Sequence, residues 1–301
     1  MTIDALRTPD EPFYGLPDWP YEAKYIEGVF GQADLRLHYI DEGPRDAEIV
    51  LCLHGAPTWS YLYRKMIPIF LEAGKRVITL DWFGFGRSDK PIDQTIYTFS
   101  FHRDTLTHFI DRMQIDRCVL VCQDWGGLLG LTLPVTHPKL LSGLVVMNTT
   151  IATGHSLGPG FEGWRTFISK SPDLDVGRLM QKSVAGISVA EAKAYSAPFP
   201  DSSYKAGVRA FPTIVPTTPD MDGVQYAEPA LAYWTDEWAG WSFMGIGLND
   251  PIFGLESMME LNQKIRACPK PMTIAHAGHF TQEHGDHIAR AALAHQKAVS
   301  Q

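Results

Sequence analysis

The stretch Val119-Leu120-Val121-Cys122-Gln123-Asp124-Trp125-Gly126-Gly127 constrains the fold of this chain more than any other. It begins with an apolar, β-branched run, the pattern of a strand buried on both faces. The run stops at a carboxylate, and a glycine pair follows. A second apolar segment, Leu128-Leu129-Gly130-Leu131-Thr132-Leu133, comes next. The order predicts a buried strand, a tight turn and a helix, which Pro134 should kink or shorten. Asp124 then lies at the C-terminal end of the strand, where open α/β sheets carry their ligands.

The flanking sequence repeats this design. Apolar runs at 49–53, 76–80 and 144–148 read as further buried strands, with helical patterns at 61–67 and 99–113 between them. Parallel strands need long crossovers, so the alternation implies a mostly parallel sheet covered by helices on both faces. Upstream, 24–30 and 35–40 read as an antiparallel hairpin turning at Gly31. Residues 154–229 carry eight prolines and no convincing buried strand, so short helices fit best. The pattern resumes with a helix near 230–237, a strand at 242–247, a helix at 255–265, a strand at 272–275 and a helix at 286–298. The expected organisation is an α/β core from 1–153 and 230–301, with 154–229 inserted as a helical cap, or lid.

Composition excludes several classes. A net charge of −8 over 301 residues disfavours nucleic acid and anionic membranes as partners. No run of about 18 apolar residues suggests a membrane span, and the acidic N-terminus lacks the apolar core of a signal peptide. The four cysteines form no CxxC pair and suit buried, reduced side chains. A cytoplasmic enzyme is expected. Oligomeric state is not legible, and a monomer is the default.

Asp124, Asp250 and His279 each follow an expected strand, so one sheet edge can gather them. Carboxylate, carboxylate, histidine is the chain order of the α/β-hydrolase triad, and the small–x–acid–x–Gly spacing is that of a nucleophile elbow with Asp124 in place of serine. That replacement changes the chemistry. A carboxylate, with a reference pKa of about 3.9, needs no base to attack a saturated carbon. The resulting alkyl ester then requires activated water. His279 is the candidate general base and Asp250 the acid that orients it. The backbone N–H groups of Ala56 and Trp125 are candidates to hold the ester oxyanion. A halide leaving group needs donors that cannot release a proton, and the indoles of Trp125 and Trp164 qualify. Other aromatics of the cap and its flank (Phe167, Tyr195, Phe199, Tyr204, Phe211, Tyr226, Tyr233, Trp234) are expected to line the pocket or pack the cap.

With Asp81-Trp82-Phe83-Gly84-Phe85-Gly86-Arg87-Ser88-Asp89, the run His54-Gly55-Ala56-Pro57-Thr58-Trp59-Ser60-Tyr61-Leu62-Tyr63-Arg64 and Gln123-Asp124-Trp125-Gly126-Gly127 resemble the haloalkane dehalogenases. The resemblance implies an α/β-hydrolase fold, no cofactor or metal, a small apolar haloalkane as substrate and a halide ion as product. Asn148 stands where one subgroup has the triad acid. The chain therefore resembles the subgroup with a late aspartate, here Asp250, and two halide-holding tryptophans. Some relatives carry an acid or asparagine in place of Ala56. Two alternatives remain: an epoxide hydrolase, which shares the Asp nucleophile but uses two cap tyrosines, and a non-catalytic scaffold that binds a small apolar ligand.

Overall fold

A computed structural model describes residues 3–28 and 35–300. Its main sheet has eight strands. In chain order they are β1 (Lys24–Glu27), β2 (Arg36–Glu42), β3 (Ile49–Leu53), β4 (Arg76–Leu80), β5 (Cys118–Gln123), β6 (Leu141–Met147), β7 (Trp241–Gly247) and β8 (Met272–Ile274). Their spatial order is β1-β2-β4-β3-β5-β6-β7-β8. The six strands from β4 to β8 in this order pair in parallel, and β1 and β2 add an antiparallel edge. The expected hairpin turn at Gly31 lies outside the described residues.

The apolar runs read as buried on both faces because they are. In β5, Val119 and Val121 join a core layer with Val50, Cys52 and Val145, whereas Leu120 and Cys122 face the other layer with Leu51, Leu53 and Leu144. The central strands supply both cores by the two-residue alternation of their side chains. Helices α1 (Ile67–Glu72), α2 (Phe99–Arg112) and α3 (Trp125–Gly130) make the crossovers. Two differ from expectation. Residues 60–63 form a 3₁₀ turn and α1 starts only at Ile67, with Pro68 in its first turn, where a missing N–H costs nothing. Helix α3 ends at Gly130, and a 3₁₀ turn over Leu133–Val135 takes Pro134.

Between β6 and β7 lie α4 (Pro159–Ser169), α5 (Val176–Ser183), α6 (Val189–Ser196), α7 (Ala206–Ala210) and α8 (Val224–Ala232). Helix α8 continues as a π-turn over Tyr233–Glu237, so one helical run crosses residue 229. Helices α9 (Leu255–Lys264) and α10 (Gly285–Val299) complete the fold. A buried charge cluster ties the inserted helices to the core. Arg64 grips both oxygens of Glu283 at 2.7 Å and reaches Glu191 of α6 at 2.7 Å, while Tyr195 of α6 also donates to Glu283. Breaking such a cluster leaves a buried charge uncompensated, so it fixes α6 over this edge of the sheet. Among the described residues, no helix is long and apolar enough to cross a membrane.

Candidate active site

The C-terminal ends of β3, β5, β6, β7 and β8 converge on one cleft. Asp124 follows β5 directly with φ 50° and ψ −123°, a backbone conformation rare for any residue but glycine. Such strain costs roughly 1–3 kcal/mol and persists only where the surroundings enforce it. Here α3 is drawn against the sheet: a Cβ on Gly126 would stand 1.9 Å from the Leu53 carbonyl oxygen, and one on Gly127 2.2 Å from Thr149 Oγ1. The turn therefore lifts the Asp124 side chain out of the helix and into the cleft. Its carboxylate makes no cap bond to α3.

The three sequence candidates meet there. His279 Nδ1 lies 2.9 Å from Asp250 Oδ2, and its Nε2 lies 3.4 Å from Asp124 Oδ2. Ala56 N–H donates to Asp124 Oδ1 at 2.8 Å. Gly55 permits this approach, since a Cβ there would fall 2.5 Å from Asp124. The Trp125 N–H stands at the first turn of α3, beside the same carboxylate. Burial disfavours the His279 imidazolium, but Asp250 and Asp124 outweigh it and hold its pKa up to about 10. Burial would also raise the Asp250 pKa. The facing His279, with donors from Ile252 and Asn148, instead holds it below the usual carboxylate range.

The chamber above Asp124 is small and apolar. Trp125, Leu128, Phe161, Trp164, Val208 and Phe253 form most of its wall, and the space open to the centre of a water-sized sphere is about 10 Å³. The structure thus brings both candidate tryptophans to Asp124. The other four buried tryptophans each give their indole N–H to a protein acceptor: Trp59 to Ala194 O, Trp82 to His54 O, Trp234 to Leu131 O and Trp238 to Ser242 Oγ. Among the described residues, Trp125 and Trp164 have no such acceptor. Unlike the other buried indoles, these two keep a donor for something that enters the chamber.

Sequence reasoning missed the groups that support Asp250 and His279. Asn148 Nδ2 donates to Asp250 Oδ2 at 2.9 Å and to the carbonyls of Gly247 and Phe253, and its Oδ1 accepts from Thr281 at 2.7 Å. Gln123 Nε2 donates to the His279 carbonyl at 3.0 Å and lies 3.0 Å from His279 Nε2. Both are polar residues closing a buried strand, which is the signal that would have found them. Of the aromatics expected to line the pocket or pack the inserted helices, none of the eight lines the Asp124 chamber. Phe211 packs behind Trp125 with centroids 4.5 Å apart, Phe167 is exposed beside Trp164, and Tyr195 serves the Glu283 cluster.

The family model for the alpha/beta hydrolase fold matches residues 48–286. The chain is 44% identical to a haloalkane dehalogenase of Psychrobacter cryohalolentis, covering 96% of both sequences. It is 38% identical to one of Mycolicibacterium paratuberculosis, covering 99% of this chain and 100% of the relative. Among solved structures, the tetrameric haloalkane dehalogenase DpaA of Paraglaciecola agarilytica NO2 superposes with a TM-score of 0.95 at 49% identity, over 97% of this chain and 98% of that one.

Proposed function

The chain belongs to the haloalkane dehalogenases, hydrolases of the α/β-hydrolase fold that act on carbon–halide bonds, and from that premise we propose roles for its residues. Asp124 is the nucleophile. Its Oδ1 is held by the Ala56 N–H, so Oδ2 makes the attack on the halogen-bearing carbon. The C–O bond forms as the carbon–halogen bond breaks, giving an alkyl ester of Asp124 and a halide ion. The indole N–H groups of Trp125 and Trp164 receive the halide's growing charge in a chamber that excludes bulk water, where a fixed donor counts for more than in solution.

In the second step His279 removes a proton from water, and the water oxygen adds to the ester carbonyl carbon. Oδ1 becomes the oxyanion, held by the Ala56 N–H and, as the tetrahedral centre forms, by the Trp125 N–H. Collapse releases the alcohol and restores the Asp124 carboxylate. The net products are alcohol, halide and a proton. Asp250 keeps the His279 ring oriented and balances its charge. The helices between β6 and β7 act as the cap, and the apolar chamber suits the haloalkyl end of a small substrate. The residues work without cofactor or metal, in the cytoplasm.

The observation that carries this reading is the pair of acceptor-less indoles beside a carboxylate on a strained elbow. An epoxide hydrolase needs tyrosine hydroxyls over the nucleophile. Among the described residues no tyrosine lines the Asp124 chamber, and Tyr195 and Tyr233 give their hydroxyls to Glu283 and the Pro138 carbonyl. The test is His279→Gln. A general base contributes roughly 10²- to 10⁴-fold, so the variant should release about one halide per enzyme and then stall with an alkyl group on Asp124. Intact-mass spectrometry reads the adduct, and a stalled enzyme carrying no added mass refutes the assignment.

A further inference from the structure

The chamber above Asp124 holds little more than one water-sized group. That is room for the halogen, not for the body of a substrate. The body must extend through the neck, which Ala56, Trp164 and Ile252 form, because these three residues also line a second, larger pocket. The outer pocket has a volume of about 520 Å³ and is also lined by His279. Its volume lies in the range of ordinary small-molecule sites.

The chemistry of its wall differs from that of the chamber. Leu179, Ile252 and Phe280 supply an apolar side against which methylenes can lie. The remainder is rich in donors: the Lys182 ammonium at the last turn of α5, Gln181 and Ser183 beside it, and Asn249 and His276 on the loops after β7 and β8. Among the described residues, no aspartate or glutamate lines this pocket, although the chain carries a net charge of −8. Lys182 is exposed and, among the described residues, has no carboxylate within ion-pair distance. His276 packs edge-on against His284, with ring centroids 4.6 Å apart. Burial lowers the His284 pKa, with smaller contributions from His276 and Lys65 that Glu283 and Asp286 oppose.

Resting on the dehalogenase reading above, we propose that the outer pocket receives an anionic tail, and that the favoured substrates are ω-haloalkanoates whose carboxylate meets Lys182. The C–halogen end enters the chamber, the methylenes cross the neck beside Ala56, and the carboxylate stays at the wet rim. Ala56 suits this path, because its single methyl group leaves the neck open.

Bromide release from 6-bromohexanoate, 1-bromohexane and 6-bromohexanol separates tail charge from chain length. The wild type should show the highest kcat/KM with 6-bromohexanoate, and that advantage should shrink as ionic strength rises. Lys182→Ala removes an exposed side chain and is expected to fold normally. It should lower kcat/KM for 6-bromohexanoate about threefold to tenfold, the range of a partly solvated ion pair, and leave 1-bromohexane and 6-bromohexanol unchanged. Equal kcat/KM for the acid and the alkane in the wild type overturns the proposal. So does an equal loss with all three substrates in Lys182→Ala, which would place Lys182 in halide release instead. If none of the three releases bromide, the dehalogenase reading fails, and this inference fails with it.

Discussion

Trp125→Phe tests the halide site in a way that separates catalysis from stability. The indole N–H of Trp125 has no acceptor among the described residues, so its removal strands no buried group. The comparison variant is Trp82→Phe, whose indole donates to the His54 carbonyl at 2.8 Å in a fully buried setting. Both changes remove similar ring volume, so packing losses largely cancel between them. Trp82→Phe additionally leaves the His54 carbonyl unpaired, which costs roughly 1–3 kcal/mol. Trp125→Phe should therefore be the more stable variant by about that amount, read from urea midpoints. Its rate should behave oppositely. Losing one preorganised donor to a developing anion costs roughly 2–4 kcal/mol, which is about 30- to 1000-fold in the halide burst. Stopped-flow detection of bromide from 1-bromobutane measures that step before any ester hydrolysis. An unchanged burst rate, or a stability loss equal to that of Trp82→Phe, would refute the reasoning.

Trp164 is half-buried where the chamber meets the outer pocket, so water competes for its donor. Trp164→Phe should slow the same burst by only about tenfold, and a loss as large as that of Trp125→Phe would show that the two indoles share the halide equally. His102 is fully buried among Trp82, Tyr97, Phe101 and Phe211, and neither ring nitrogen has a hydrogen-bond partner. Burial, with a smaller contribution from His54, pushes its pKa down to about 3. The unfolded chain therefore takes up a proton as pH falls through about 6.5, and the folded one only near 3, so acid lowers stability in that window. His102→Phe should raise stability by roughly 1–3 kcal/mol at pH 7 and by more at pH about 4.5; equal urea midpoints for wild type and variant at both pH values would contradict this. Finally, His279 is protonated at neutral pH in the resting site, with its pKa at about 10. Alkylation removes the Asp124 charge, so that pKa falls and the proton leaves before water attacks. A pH indicator should report protons in phase with the halide burst, and kcat limited by ester hydrolysis should rise with pH. Proton release only together with alcohol would oppose the scheme.

Much of the fold was legible because the strands are covered on both sides. A run such as that of β5 has no polar face to confuse with a loop or an amphipathic helix, and its end is marked by the first charged residue. The meeting of Asp124, Asp250 and His279 was legible for the same reason, since each follows such an end. Residues 60–63 were less so. Tyr61, Leu62 and Tyr63 are all fully buried, and apolar residues that are buried all round carry no period that distinguishes a 3₁₀ turn from an α-helix. Beyond Ala56, Trp125 and Trp164, the chamber wall was not legible. Val208, Pro212 and Val215 reach Asp124 only through the packing of short helices whose relative placement depends on side-chain fit. Sequence left open whether the aromatics of residues 154–234 line the pocket or pack the inserted helices. The structure spends most of them elsewhere, Tyr195 on an ion cluster and Trp234 on the Leu131 carbonyl.

The two aspartates of the site show how position assigns chemistry to identical side chains. Asp250 has no exposed side-chain surface, and its oxygens are committed: Oδ2 to His279 and Asn148, Oδ1 to the Ile252 N–H. A carboxylate so saturated with donors is a poor nucleophile, because every bond that stabilises its charge must weaken if that charge moves to carbon. It is well placed to fix a ring and balance an imidazolium. Asp124 keeps 13% of its side chain accessible and lines the chamber. It receives one backbone donor on Oδ1, and the histidine stands 3.4 Å from Oδ2. The strained elbow makes the difference. With ordinary N-cap geometry the Asp124 carboxylate would accept from the first N–H groups of α3, as capping aspartates do. Turned away at φ 50°, it is denied that partner and left facing the chamber. The glycines at 55, 126 and 127 permit that turn, and the strain it stores is the structural counterpart of a carboxylate left short of donors.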